Sequence, residues 1–458
     1  MNDIMPYIDE QVDIALARLN FHEFCLYMEP EVYGNRKVLQ LATSALQKVI
    51  DAYKQGRAIK VSISMPPRYG KSLTVSLFST YWLGTFPDSS FLRASATNRL
   101  YQKFSYDCRQ IIRSDKYKNV FPEIRLAADK QSLDGWNLES AKQVSFFGGG
   151  YGTSIIGFGC NCACTDDMYP GITEALSENY NESLNTWKQG SFNSRLEKNS
   201  PEIFVGTRWS KGDLIGQAIE AGLIDVEVLI PALDENNEST CDHVKTTAEY
   251  LKIKQDTDES IWLAEYMQQP AELEGLLFPA SGLKYFEPGN IPAPEFKYLA
   301  VDPADTGGDD TSAPFCDLIC TGIYVTDVIY NTNGTDVNIP ALVEAIVTRR
   351  LNHAEIEGVS AWKVFAKDVR NKVQERYEDC EIRVTVPHTN KVTRILSFSA
   401  FIKNHFYFLS EAHWTPEYRK FMKVLTSYMR EGGSKRDDAP DSLAIAAEYF
   451  MKNFSHLW

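Results

Sequence analysis

The sequence predicts an α/β protein of two domains, each built on its own sheet. Three observations carry this. From about residue 60, short apolar strands alternate with helical stretches, as in a parallel sheet covered on both faces. A proline-rich stretch, FEPGNIPAPEF, then breaks the pattern. After it a second strand-rich run opens at KYLAVDP and gives way to helices by RKFMKVLTSYM. A chain of 458 residues exceeds one ordinary domain and accommodates two with a connecting segment. The composition shifts place the segments at 1–215, 216–296 and 297–458, the middle one a lid or linker.

Taken in order, LNFHEFCLYM and VLQLATSALQKVIDAYKQG space apolar residues three and four apart and read as helices. AIKVSISM is a buried-strand pattern ending at Pro66 and Pro67. SLTVSLFSTYWLGTF, after Lys71, is helical in period, with Pro87 beyond its end. SFLRASAT is the next strand and NRLYQKFSYDCRQIIRS the next helix. The glycine-dense FFGGGYGTSIIGFG leads into CNCACTDD, and PEIFVGTRWS is a short strand ending in Gly-Thr. In the last third GIYVTDVIY reads as a strand and WKVFAKDVRNKV as a helix.

Hydrophobic residues at 44% and aromatics at 12% are enough to fill two cores, which excludes a disordered chain. No run of 18 apolar residues occurs, so no membrane span is expected. The first twenty residues lack the apolar core of a signal peptide, and the expectation is a soluble intracellular protein. A formal net charge of −14 argues against a surface coated for nucleic acid, although a local basic channel is compatible with it. The nine cysteines do not suggest a disulfide framework. Cys160, Cys162 and Cys164 alternate; zinc is one reading, but thiols facing one side of a strand and packing a core explain the spacing.

Between the strand VSISM and the following helix lies Met65-Pro66-Pro67-Arg68-Tyr69-Gly70-Lys71-Ser72, the end of a G-x4-G-K-[ST] phosphate loop with Met65 at the first glycine. Backbone N–H groups and the helix start would cradle phosphates, Lys71 would reach the β and γ phosphates, and the Ser72 hydroxyl would hold Mg²⁺. Arg68 is either a γ-phosphate contact or a plain surface arginine. Asp166 and Asp167 close the cysteine strand. Asp166 would orient the Mg²⁺ hydration shell and Asp167 would polarise the attacking water. Thr207 ends the next strand and would sense the γ-phosphate. These assignments make ATP the expected ligand.

The second domain offers acids at strand and helix ends: Asp302 after AV and before Pro303, Glu357 in AEIEG, and Asp438 and Asp441 in DDAPDSLA. Asp438 and Asp441, three apart, share a helical face, whereas Asp437 is turned by about 100° from Asp438. Several carboxylates on one sheet edge are what two Mg²⁺ or Mn²⁺ ions require to cut a phosphodiester. The order strand-Asp, strand-Glu, helix D-x-x-D resembles the ribonuclease-H-like nuclease fold.

Taken together, PPRYGKS, the glycine-rich stretch before TDDMYPGITEALS, FNSRLEKN, IFVGTRWSKGDLIG, WLAEYMQQP with GLLF, AVDPADTGGDD, the segment Asn390–Ile395 and DDAPDSLA run in the order seen in the large subunit of tailed-phage terminases. The chain resembles that family from about residue 35 to 450. The resemblance implies an ATP-driven motor that moves double-stranded DNA into a capsid and a nuclease that cuts it. It also implies a small terminase subunit, a portal ring and a pentameric working form as partners, and the cytoplasm of an infected host as location. Met65 and the strand CNCACT depart from the family's usual loop glycine and branched aliphatic strand. A DNA helicase or repair translocase with an attached nuclease is an alternative, and so is a non-catalytic capsid component keeping a degenerate loop. Helicase motifs with base-stacking aromatics are not visible, and the intact Lys71, Ser72 and acid set count against a degenerate loop.

Overall fold

The computed structural model describes residues 5–153, 155, 157–271, 275–304, 310–358, 362–386, 389–430 and 436–458. The chain forms two compact units, Met1–Lys252 with Ser260–Ala271, and Ile253–Glu259 with Glu272–Trp458.

In the first unit, eight strands form one sheet: β1 (Lys60–Ser64), β2 (Phe91–Ser95), β3 (Leu126–Gln131), β4 (Gly135–Leu138), β5 (Phe146–Gly150), β6 (Cys162–Asp166), β7 (Glu202–Gly206) and β8 (Val226–Leu229). Their order is β3-β4-β5-β2-β6-β7-β1-β8. The run from β5 to β8 is parallel, and β3 and β4 add antiparallel strands at one edge. The helix Lys71–Thr85 is buried almost all round, from Thr74 to Leu83, as a helix packed between a sheet and other helices must be. The helix Asn98–Arg113 buries Tyr101, Phe104, Ser105, Cys108 and Ile112 along one stripe. Its Thr97 cap accepts from the Leu100 N–H at 3.2 Å, a contact worth about 1 kcal/mol.

In the second unit the strands are β9 (Lys284–Phe286), β10 (Phe296–Val301), β11 (Thr311–Ile319), β12 (Gly322–Asn331), β13 (His353–Glu357), β14 (Glu381–Thr385) and β15 (Phe406–Leu409). They are ordered β14-β13-β10-β11-β12-β15-β9. β10, β11 and β12 form an antiparallel meander, and β13 and β14 add in parallel beyond β10. That is the expected ribonuclease-H-like arrangement. The helices Thr335–Arg349 and Trp362–Gln374 supply Leu342, Ile346, Phe365 and Val369 to a core shared with Leu299, Phe315 and Ile356. Each such buried side chain contributes roughly 1.5–3 kcal/mol.

The segment 216–296, read from sequence as a lid or linker, is divided between the units. β8 joins the first sheet through β1. β9 joins the second through β15, and the Leu277 N–H donates to the Tyr428 carbonyl at 2.9 Å. Burying Leu277 and Phe278 fixes this stretch to the second unit, ahead of the prolines that seemed to mark its start. Among the described residues no helix is long and apolar enough to cross a membrane.

Candidate active sites

β1 delivers the chain into a loop whose shape depends on left-handed backbone: Arg68 has φ +67° and Gly70 φ +118°. A side chain at residue 70 would be strained at that φ, so glycine is required there. Arg36 braces the loop, donating from Nη1 to the carbonyls of Arg68 and Tyr69 at 3.0 Å each. Lys71 is buried and donates to the carbonyls of Met65 (2.9 Å) and Pro66 (3.2 Å) and to Thr207 Oγ1 (2.9 Å). The last bond follows from strand order: β7 lies between β1 and β6, so its end falls between the loop and the acids. A cavity of about 760 Å³ opens there, lined by Arg68, Gly70, Lys71, Ser72, Asp167 and Thr207 among others.

Asp167 follows β6 with φ +48°. Burial pushes its carboxyl up from the ordinary carboxylate range, with Lys71 opposing. A carboxylate so placed can take a proton. Asp166 behaves differently. It is fully buried beneath the cavity rather than among its lining residues, and it is paired with Arg93. The Arg93 guanidinium also donates to Ser76 Oγ at 2.8 Å and to the Ser72 carbonyl at 3.1 Å. Asp166 Oδ1 is buried without a hydrogen-bond partner. A free buried carboxylate oxygen, one guanidinium away from the Ser72 backbone, fits an acceptor for hydrated Mg²⁺.

The cysteines are all free thiols. Cys162 and Cys164 lie on β6, four and two residues before Asp166 and therefore on its face. Cys160 does not join them: it precedes the strand, bridges Leu196, and packs with Leu92 and Ala163 on the other side. The alternation therefore breaks because the strand begins only at Cys162.

Three elements bring the second set of acids together. Asp302 follows β10, Glu357 ends β13, and Asp441 lies in the first turn of the helix Asp438–Asn453. One carboxylate oxygen from each lies within 4.8 Å of the others, and hard oxygen donors of this kind suit Mg²⁺ or Mn²⁺. Asp438 stands outside this trio and accepts the Asp310 N–H at 3.2 Å. Residues 305–309 of the motif AVDPADTGGDD lie outside the described residues.

Two basic residues that sequence reading gave no role enter this cluster from the helix Lys391–His405. Lys391 Nζ lies 2.8 Å from Asp302, 3.4 Å from Asp441 and 3.6 Å from both Asp437 and Asp438. Asp437, expected to face away, thus shares the same lysine. Arg394 grips Asp441 through Nε (2.8 Å) and Nη2 (2.7 Å), and its Nη2 also reaches Glu357 at 2.8 Å. Burial pushes the Asp302 carboxyl up to about 7; Lys391 opposes this, and Asp441 and Glu357 reinforce it.

The motif pieces GTRW…D and QQP also meet. Arg208 Nε lies 3.0 and 3.1 Å from the Asp213 carboxylate, and the Arg208 N–H donates to Gln268 Oε1 at 2.9 Å. Asp213 in turn caps the helix Leu214–Glu220. The spacing is therefore a folding constraint that holds the end of β7.

No protein-family model matches the chain, and comparison with curated proteins finds no significant match. Among solved structures, the large terminase of a thermophilic bacteriophage aligns over 90% of this chain and 98% of its own, with TM-score 0.55 at 11% identity. Its complex with ADP covers 90% and 99%, with TM-score 0.53 at 11% identity. Its complex with ATP-gamma-S covers 89% and 98%, with TM-score 0.53 at 10% identity.

Proposed function

We propose, from the large-terminase fold that this chain has, that it is a DNA-packaging motor which hydrolyses ATP in its first unit and cuts DNA in its second. The observation that carries the reading is the pairing, in one chain, of the Lys71–Thr207–Asp167 cavity with the Asp302–Glu357–Asp441 cluster. In the first unit, Lys71 and the Gly70 loop bind the phosphates, Ser72 and Asp166 hold Mg²⁺, and Asp167 accepts the proton of the attacking water. Thr207, bonded to Lys71, reports the state of the γ-phosphate to β7. Arg68, exposed at the loop, faces phosphate or a neighbouring subunit. In the second unit, Asp302, Glu357 and Asp441 hold Mg²⁺ or Mn²⁺, with Asp438 completing the set. Bound divalent ions there supply phosphate polarisation and a water of lowered pKa. Double-stranded DNA is the substrate of both units. A small terminase subunit, a portal and four further copies of this chain are the partners, in the cytoplasm of an infected host.

The test is a separation of activities in the full chain. Lys71→Ala is expected to lower ATP hydrolysis at least about 100-fold and leave Mn²⁺-dependent DNA cleavage intact; Asp302→Ala is expected to do the reverse. Loss of both activities in either variant, or of neither, sinks the assignment.

A further inference from the structure

Arg93 is a charged residue in the middle of a parallel strand, fully buried, where apolar side chains are the rule. Its surroundings are built for it. In the register of the sheet Arg93 stands opposite Cys164 on β6 and Gly148 on β5, so both neighbouring strands present small residues beside it. Its guanidinium stacks 3.9 Å from the Phe104 ring centroid. Asp166 is two residues beyond Cys164, on the same face, which brings its carboxylate onto the guanidinium. Nη1 donates to Ser76 Oγ and Nη2 also to the Ser72 carbonyl, in the first two turns of the helix that starts at Lys71, while Nε is buried without a partner.

One planar group therefore fixes the acid that ends β6 and the backbone of Ser72, the two residues proposed above to hold Mg²⁺. It occupies Asp166 Oδ2 and leaves Oδ1 as the open buried acceptor.

We propose that Arg93 is a positioning residue of the nucleotide site, which sets the orientation of Asp166 relative to Ser72 and thereby the response of the site to Mg²⁺. This rests on the nucleotide-site reading. Arg93 is not among the residues that line the cavity, so its effect falls on metal use and not on nucleotide binding as such.

The test compares wild type, Arg93→Gln and Arg93→Lys in the full chain, using a fluorescent ATP analogue in EDTA and in a Mg²⁺ titration, alongside ATP hydrolysis. In EDTA all three are expected to bind the analogue within about 2-fold, because Lys71 and its partners are untouched. The Mg²⁺ concentration that half-saturates binding and hydrolysis should rise about 10-fold in Arg93→Gln, the size expected when a partner orienting a metal's acceptor is lost. Arg93→Lys should recover part of it, since a single ammonium nitrogen keeps the charge but cannot occupy both positions that Nη1 and Nη2 hold. An unchanged Mg²⁺ response in Arg93→Gln overturns the proposal, and so does an equal loss of binding in EDTA and in Mg²⁺. Should Arg93→Gln not fold, Arg93→Lys decides: a raised Mg²⁺ requirement supports the proposal and a wild-type one overturns it. If wild type itself binds no nucleotide, the nucleotide-site reading falls and takes this proposal with it.

Discussion

At the scale of single residues, the two acids that close β6 differ in burial and in partner. Asp167 lines the cavity and has its carboxyl pushed up by burial, whereas Asp166 is locked against Arg93. Asp167→Asn is therefore expected to keep nucleotide binding within about 3-fold and to lose at least about 100-fold in turnover, because the amide takes no proton. Equal losses in both measurements would assign Asp167 to binding instead. Asp302 makes a pH prediction. Its folded-state value near 7 lies above the ordinary aspartate value, so the folded chain binds this proton more readily than the unfolded one. Stability in EDTA should consequently fall as pH rises from about 4 to 7, and Asp302→Asn should flatten that slope in thermal melts. A slope unchanged in the variant would place the titration elsewhere. Asp302, Glu357 and Asp441 were legible because each sits where a strand or helix begins or ends, and such ends show in sequence. Arg93 was not, because FLRASAT is a strand pattern with one misfit, and only register reveals that the misfit faces Asp166.

At the scale of elements, the helix Lys391–His405 carries the balancing charge for the acid cluster. Its first turn holds Lys391 and Arg394, three apart and so on one face, against three converging carboxylates. Arg394→Gln removes the cation paired with Glu357 and leaves Asp441 with Lys391 alone, and truncating one partner of a buried pair costs about 3–5 kcal/mol. Melting in EDTA should drop sharply, and Mn²⁺ should restore much more of the variant's melting temperature than it adds to wild type. A drop of equal size with and without Mn²⁺ would mean that the arginine serves packing alone. This helix shows how a segment can be visible as a motif while its purpose is hidden. Asn390–Ile395 stood out in sequence, yet nothing in its spacing says that its two cations together meet acids from three other elements.

At the scale of the whole chain, alternating strands and helices predicted the first sheet and a strand-rich run the second, whereas the order of the strands in each sheet does not show in the sequence. The boundary was less legible. Prolines at 288, 292 and 294 looked like an ending, but β9 and the buried Leu277 and Phe278 precede them and belong to the second unit. A fragment of residues 272–458 should therefore melt cooperatively and well above one of residues 297–458, which loses an edge strand and about 1.5–3 kcal/mol for each large buried side chain removed. Equal melting temperatures would show that the stretch before the prolines contributes nothing to the fold. Helix formation also masked the boundary: Thr247–Asp256 is one helix, and its last turn passes into the other unit without any break in pattern. The chain thus changes unit three times, after 252, 259 and 271. Any single protease nick in that interval leaves a piece of each unit on the wrong side of the cut, still packed where it belongs. Nicked protein should run as two bands on a denaturing gel and as one species in gel filtration, coming apart only when urea dissolves the packing.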